Sequence, residues 1–282
     1  MRRFDPAWIW IDGSDLSDNP RDKNAAKTFE DDIYLLLDKV IKGNQVGLLL
    51  LNAIRADKHI MRIVPYFGDS GPCNAHADAD IPEDSYPEGQ HLLLQDPDES
   101  LEDKLAGKVQ FITSTNRIGT GDGSNVHIKF SPDRYDGKLC GGPSETADAV
   151  LFHEMIHGLR KMLGIEYPNP LGGKLVGYGT EEEFLAIVIT NVYVSNKNPN
   201  AILRLDGNGW QELKAPYNTS EGFLSLTENK DLLNKKKMPL YGDLALVPAN
   251  FNPFKLLMQS TNKPKPQPSQ HEWRSEFPRF HH

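Results

Sequence analysis

The sequence predicts an α+β fold in which a small mixed or antiparallel sheet packs against two consecutive buried helices. Apolar residues at helical spacing and a series of short strand-like segments are the observations behind this prediction. The helices are predicted at 28–41, 47–56, 144–164 and 180–193, and the strands at 8–11, 59–66, 91–95, 107–112 and 125–130. With 282 residues, 38% of them hydrophobic, the chain can bury a sizeable core, and we expect one domain over 1–260.

The amino-terminal part of the chain contains an aromatic strand and two helices. Residues 8–11, Trp-Ile-Trp-Ile, indicate a short strand or a clamp on the main body. Between 28 and 41 the apolar residues are spaced as on one face of a helix, which Gly43 and Asn44 end. A shorter apolar helix follows at 47–56.

Residues 67–90 are rich in Gly, Pro, Asp and Ser, which predicts a long exposed loop. Within it, His76, Asp78 and Asp80 are candidates for a cation site, and the alternative is a polar solvated loop. The strands predicted at 107–112 and 125–130 alternate apolar and polar residues, with a glycine-rich turn at 119–123 between them.

The segment His153-Glu154-Met-Ile-His157 carries the clearest chemistry. Helical spacing places the two histidines one turn apart on one face, where they can bind one tetrahedral ion, most commonly zinc. Glu154 lies beside the first ligand and can accept a proton from a water held there. A chance match is the alternative, but the flanking residues are apolar, and a buried helix needs a reason for its polar side chains.

A second helix begins at Thr180 and has three acids in its first turn. Negative charges in the first turn of a helix interact favourably with the helix dipole. The competing interpretation is therefore that the three acids only stabilise the start of the helix. A catalytic zinc has three protein ligands and one open position, so a carboxylate is a reasonable third ligand. We predict Glu183 as that ligand, with Glu182 as the runner-up, because Ala186 follows Glu183 one turn later, where two helices can approach closely.

Residues around the motif are candidates for shaping the pocket. Tyr178 is predicted to donate a hydrogen bond to the oxyanion, with Tyr167 as an alternative and simple packing as the other interpretation. Asp148 is either a partner of a ligand or, as we expect, a solvent-facing helix residue. Pairing along an exposed edge can position an extended peptide, and strand 125–130 is the candidate for this. The residues of this strand that we predict to bind substrate are Val126, Ile128 and Phe130.

Beyond residue 193 the sequence is less informative. Residues 201–258 alternate short apolar pieces with loops, which predicts a region that wraps around the same domain, and 261–282 is predicted to be a proline-rich extended tail. Two cysteines, Cys73 and Cys140, allow one disulfide, and their spacing does not decide whether they pair.

Composition excludes several classes of partner. The formal net charge of −8, without a dense basic patch, argues against nucleic acid. No apolar run approaches the ~18 residues of a membrane span. The basic start, Met1-Arg-Arg, is not followed by an apolar core, so we expect no cleaved signal peptide, and we expect a monomer.

The combination of these motifs resembles a known group of enzymes. His153-Glu-x-x-His157 followed by Glu183-Phe-Leu-Ala is similar to the gluzincin arrangement of zincin metallopeptidases. The short separation, with Tyr178-Gly-Thr-Glu-Glu-Glu, resembles NleD/HopH-like type III effectors and the toxin domains of type VI spike and Rhs proteins. The likeness covers about residues 142–193, and a looser one lies at 47–54.

The resemblance implies a zincin-like fold, one catalytic zinc and hydrolysis of a protein or peptide in a target cell. It also implies secretion or delivery, to the bacterial periplasm or to a host cytosol. Two other functions share the motif: a zinc amidase acting on peptidoglycan, and a catalytically silent zinc-binding module that recognises a target protein. Substrate and cleavage site are not encoded in any motif, and whether the chain is part of a larger protein stays open.

Overall fold

Two long buried helices lie side by side and form the centre of the structure, a computed structural model. It describes residues 1–16, 24–66, 75–95, 111–132, 135, 146–171, 178–205, 211–235 and 240–261. The helices in these ranges are α1 (Ala25–Ile41), α2 (Gln45–Ala56), α3 (Pro82–Ser85), α4 (Ala147–Met162), α5 (Glu181–Lys197), α6 (Ser220–Leu224), α7 (Thr227–Lys235), α8 (Tyr241–Leu246) and α9 (Pro253–Thr261). The strands are β1 (Arg2–Phe4), β2 (Ile9–Ile11), β3 (Met61–Val64), β4 (His76–Ala79), β5 (His91–Gln95), β6 (Phe111–Ile118) and β7 (Val126–Lys129).

The fold is mixed α+β with a small mixed sheet, which confirms the predicted fold class. Five strands pair in the order β1-β2-β3-β7-β4, parallel in the middle and antiparallel at both ends. Strands β5 and β6 form a separate antiparallel pair. Strands β4 and β7 pack against α4, and β1 and β2 pack against α1.

Helix α4 packs on the sheet, and α5 packs on α4 and α2. All but one of the residues of α4 and most residues of α5 are buried, as their largely apolar sequences predict. Gly158 lies where α4 comes closest to the sheet, since a Cβ there would sit 2.9 Å from Cδ1 of Ile128. The segment from His153 to His157 is therefore held between a sheet and a second helix.

Most predicted elements are confirmed. Helices form at all four predicted places, and Thr146 and Thr180 are the N-cap residues of α4 and α5. A strand forms at 91–95 as predicted, and strands also form within 8–11, 59–66 and 125–130 with shorter bounds. Cys73, Cys140, residues 107–110 and the predicted tail beyond Thr261 lie outside the described residues.

Two regions differ from the prediction. The segment expected to be a long loop contains strand β4 and helix α3, because the small residues of β4 allow close packing of that strand on α4. In the described part of 201–258, the apolar pieces from 220 onwards lie in the short helices α6 to α9, which the sequence did not predict. No helix in the described ranges is long and apolar enough to cross a membrane.

The prediction that strand 125–130 pairs with a peptide substrate is wrong. Strand β7 lies inside the sheet, hydrogen-bonded to β3 on one side and to β4 on the other, so its edges are not free to pair with a peptide. Val126, Ile128 and Phe130 are fully buried in the core and cannot contact a substrate. The sheet edge that lies nearest to α4 belongs to β4.

The expectation that Asp148 faces solvent is also wrong. Its side chain is 1% exposed and accepts hydrogen bonds of 2.6 Å from the Tyr193 hydroxyl and from Nζ of Lys197. Nζ of Lys39 lies 2.8 Å from its other oxygen. Burial alone would raise the pKa of Asp148, but these partners outweigh it and lower the pKa to about 2. Asp148 therefore ties α4 to α5 and α1, at a distance from the histidines.

We expect Asp148→Asn to lower the free energy of unfolding by about 2 kcal/mol at pH 7. A carboxyl group whose pKa is lower in the folded state stabilises the fold above its unfolded pKa of 3.8 and loses this effect as the pH falls towards about 2. Urea unfolding of both proteins from pH 7 to pH 2 is the measurement. The difference between them should shrink below pH 4, and a difference independent of pH would contradict the assignment.

Candidate metal centre

Helix α4 brings the two histidines of the motif together on the side that meets α5. Their Nε2 atoms are 3.1 Å apart, and the rings are nearly perpendicular, with centroids 4.7 Å apart. Both side chains are buried, that of His153 to 4% exposure and that of His157 to 10%. One helical turn thus directs two imidazole nitrogens to a single point, as the spacing in the sequence predicts.

Glu183 reaches the same point from the first turn of α5. The hydroxyl of Thr180 accepts a hydrogen bond of 3.1 Å from the Glu183 amide and fixes this turn. One carboxylate oxygen of Glu183 lies 3.4 Å from Nε2 of His153, and the other lies 3.3 Å from Nε2 of His157. The structure therefore places His153, His157 and Glu183 within metal-binding distance of one another.

The three donors fit a small tetrahedral ion. Zinc bonds of about 2.0–2.1 Å at tetrahedral angles put neighbouring ligand atoms about 3.3 Å apart. The two Nε2 atoms are 3.1 Å apart, and each lies 3.4 or 3.3 Å from a different oxygen of Glu183, so the separations between neighbouring donors are those that a small tetrahedral ion needs. Oε2 of Glu183 is buried and has no hydrogen-bond partner among the described residues. A cation at the centre would satisfy this oxygen.

The hydrogen-bond network indicates which nitrogens carry protons. Nδ1 of His157 lies 3.5 Å from Oε1 of Glu182, a carboxylate that can only accept. Nδ1 of His153 lies 3.5 Å from the Thr190 hydroxyl, which donates its own proton to the Ala186 carbonyl at 2.7 Å. Protons on both Nδ1 atoms leave the Nε2 lone pairs facing each other, which is favourable only with a proton or a metal ion between them.

The pKa values in the metal-free site reflect this crowding. Burial, together with the positive charge of Arg204, lowers the pKa of His153 to about 3. Burial acts in the same direction on His157, but Glu183 and Glu182 outweigh it and raise the pKa of His157 to about 10. The pKa of Glu183 lies well below its usual range because the histidines outweigh its burial. A metal ion held at this point would take the place of a proton on His157.

Glu154 is the acidic residue of the motif that is not one of the converging donors. The Glu183 side chain is 37% exposed, in contrast to the two buried histidines, so the site lies near the surface on the side of Glu183. Glu154 is 8% exposed, and its carboxylate has no hydrogen bond to any other described residue. Burial, reinforced by the charge of Glu183, raises the pKa of Glu154 to about 7. Such a group can exchange a proton near neutral pH.

Glu182, the runner-up for the third ligand, is engaged elsewhere. One of its oxygens accepts a hydrogen bond of 2.6 Å from Nε of Arg160, and the other accepts one of 3.0 Å from the Tyr167 amide. Glu182 contacts His157 on the side of the ring that faces away from Glu183. Of the two candidates, the geometry therefore favours Glu183.

The proposed oxyanion donors have different surroundings. Tyr178 is buried, its ring packs edge-on against Phe184 at 5.0 Å, and its hydroxyl has no hydrogen-bond partner in the described ranges. Tyr167 is half-buried, and its backbone amide is the group that contacts Glu182. A role for either hydroxyl stays a prediction.

Strand β4 packs against the helix that carries the site. It contacts α4, and a charge on His76 is close enough to lower the pKa of Glu154. Its polar side chains pair with each other and with β7: His76 lies 3.1 Å from Asp78, which lies 2.8 Å from Nζ of Lys129. The outer face of β4 is thus an ion-pair network rather than a group of free metal donors.

Sequence reasoning missed three buried groups around the site: Arg160, Thr190 and Arg204. Arg160 follows His157 by three residues in an otherwise apolar helix, and this spacing was a usable signal, although a cation near a helix end has an ordinary explanation. Thr190 and Arg204 reach His153 only through the fold, so no local pattern identifies them.

Comparisons with known proteins give no family for this chain. No protein-family model matches it, and no curated protein sequence is significantly similar to it. Inferences about function therefore depend on the geometry and chemistry of the site.

Proposed function

We propose that the protein is a zinc-dependent metallopeptidase that acts as a secreted bacterial effector or toxin domain. The observation that carries this proposal is the convergence of donor atoms from His153, His157 and Glu183, with Glu154 in the same helix as the two histidines. The resemblance of the motifs to effector metallopeptidases supports a peptide substrate and delivery into a target cell.

Bound zinc would supply Lewis acidity that activates water and polarises a carbonyl group. His153, His157 and Glu183 would hold the ion. Glu154 would accept the proton of the attacking water and later donate it to the leaving amine, a role that suits its raised pKa and its lack of a fixed partner among the described residues.

The outer edge of β4, the end strand of the sheet in the described residues, would position the substrate. An extended peptide that pairs with an edge strand gains backbone hydrogen bonds independently of its side chains. Strand β4 is the end strand of the described sheet on the side of α4, which supports this assignment in place of β7.

Cleavage of a peptide library by the zinc-loaded protein, followed by mass spectrometry, tests the proposal. Cleavage should disappear with a chelator and return when zinc is added. Peptidoglycan fragments provide a second arm: hydrolysis of those fragments without any peptide cleavage would replace the peptidase by an amidase. Absence of hydrolysis in both arms by a zinc-loaded protein would favour a binding module.

A further inference from the structure

The buried carboxylate of Glu182 lies next to the ring nitrogen of His157 that does not point towards the other donors. Nδ1 of His157 faces Oε1 of Glu182 at 3.5 Å, on the side of the ring opposite to the donor nitrogen. Both side chains are buried, so water does not compete for this contact. His153 has a neutral hydroxyl, that of Thr190, in the corresponding place. The two imidazoles are therefore supported by chemically different groups.

Glu182 is itself fixed by contacts from two directions. Arg160 donates a hydrogen bond of 2.6 Å from Nε to one oxygen, and the Tyr167 amide donates one of 3.0 Å to the other. Arg160 is anchored in turn, because its Nη2 donates a hydrogen bond of 2.7 Å to the Ile165 carbonyl. The carboxylate cannot turn away from His157 without breaking these charge-assisted bonds.

We propose that Glu182 is a positioning residue of the metal centre, which orients His157 and strengthens it as a ligand, and that Arg160 holds Glu182 in place. This inference rests on the proposed function, since it assumes a metal ion at the three donors. A carboxylate that accepts the second N–H of a ligating histidine fixes its tautomer and makes the ligand more basic.

The competing explanation is an ion pair that serves only the fold. Arg160 and Glu182 join the end of α4 to the start of α5, and removing one partner of a buried pair leaves an uncompensated charge. Such a pair would affect unfolding but not the metal affinity of the folded protein. Stability and metal affinity therefore have to be measured separately.

The first experiment compares zinc affinity in wild type, Glu182→Gln and Glu181→Gln by competition with a chelator at pH 7. Glutamine keeps the size of the side chain but removes its charge. Loss of such a supporting carboxylate typically weakens metal binding about 10- to 100-fold, and we expect this for Glu182→Gln. Glu181→Gln is the matched control, with the same charge change one residue earlier in the same helical turn, and should bind zinc as wild type does.

A second variant separates positioning from folding. Glu182→Gln leaves Arg160 buried without its anion, which destabilises the protein and could prevent folding. The double variant Arg160→Met, Glu182→Gln removes both charges and should melt closer to wild type than the single variant. We expect its zinc affinity to stay about 10- to 100-fold below wild type.

The outcomes are distinguishable. Wild-type zinc affinity in the folded double variant would overturn the positioning role and leave the peptidase proposal intact. Failure of the wild-type protein itself to bind zinc would overturn the proposed function, and the positioning role with it. Weakened binding in both Glu182 variants, with an unchanged Glu181→Gln protein, would support both.

Discussion

Glu154→Gln is expected to lower peptide hydrolysis by about 10²- to 10⁴-fold while the zinc content stays that of wild type. Glutamine has nearly the shape of glutamate but cannot accept a proton from water. Glu154 is not one of the three converging donors, so the metal should remain. Peptide cleavage per folded, zinc-loaded molecule is the quantity to measure.

Stability provides an independent signature of this role. The pKa of Glu154 is raised to about 7 by burial and by the charge of Glu183, so the folded protein favours its protonated form. A carboxyl group with a raised pKa opposes folding once it is ionised, and this cost develops between its unfolded pKa of 4.5 and about 7. At pH 8, metal-free Glu154→Gln should therefore melt no lower than wild type.

Glu166 is the matched control, since it is a glutamate of equal burial with a structural environment. It forms an ion pair with Lys161 and accepts a hydrogen bond from Ser85 at 3.1 Å. Glu166→Gln should reduce stability and leave cleavage by the folded protein nearly unchanged. The opposite pattern, with activity retained in Glu154→Gln, would rule out Glu154 as the catalytic base.

The local parts of the site could be predicted because they depend on helical spacing alone. His153 and His157 converge for the same reason that any residues four apart share a helix face. The cap at Thr180 also follows from local chemistry, because its hydroxyl satisfies an amide of the first turn. These features need no knowledge of what packs against the helix.

The choice between Glu182 and Glu183 could not be made in this way. Successive residues on a helix differ by about 100° in direction, so the ligand depends on how α5 is rotated against α4. That rotation is set by packing of side chains distant in sequence. Arg160 contributes to it, since it pairs with Glu182 and leaves Glu183 turned towards the histidines.

Errors about the sheet and about Asp148 have the same non-local origin. Alternation in 125–130 predicts a strand but not its neighbours, and the chain inserts it between β3 and β4. Asp148 is polar and near a helix start, where solvent exposure is the usual outcome. Lys39 and Lys197, which neutralise it, come from helices far along the chain.

Replacement of the predicted third ligand has the largest expected effect on the metal. Structural zinc sites with four ligands have apparent binding free energies of about 10–16 kcal/mol, or roughly 3 kcal/mol for each ligand. Glu183→Ala should therefore weaken zinc binding by more than about 100-fold and abolish cleavage. Zinc content after dialysis and affinity by chelator competition are the measurements, with circular dichroism to verify the fold.

The order of effects along one helical turn tests the geometry itself. Glu183 lies near Nε2 of His157, Glu182 lies near Nδ1 of the same ring, and Glu181 contacts Asn169. Zinc affinity should therefore fall most for Glu183→Ala, less for Glu182→Gln and not at all for Glu181→Gln. If zinc affinity fell more for Glu182→Gln than for Glu183→Ala, α5 would be rotated by about one residue from the arrangement described. Equal affinity in all three variants, with zinc still bound, would place the third ligand elsewhere in the chain.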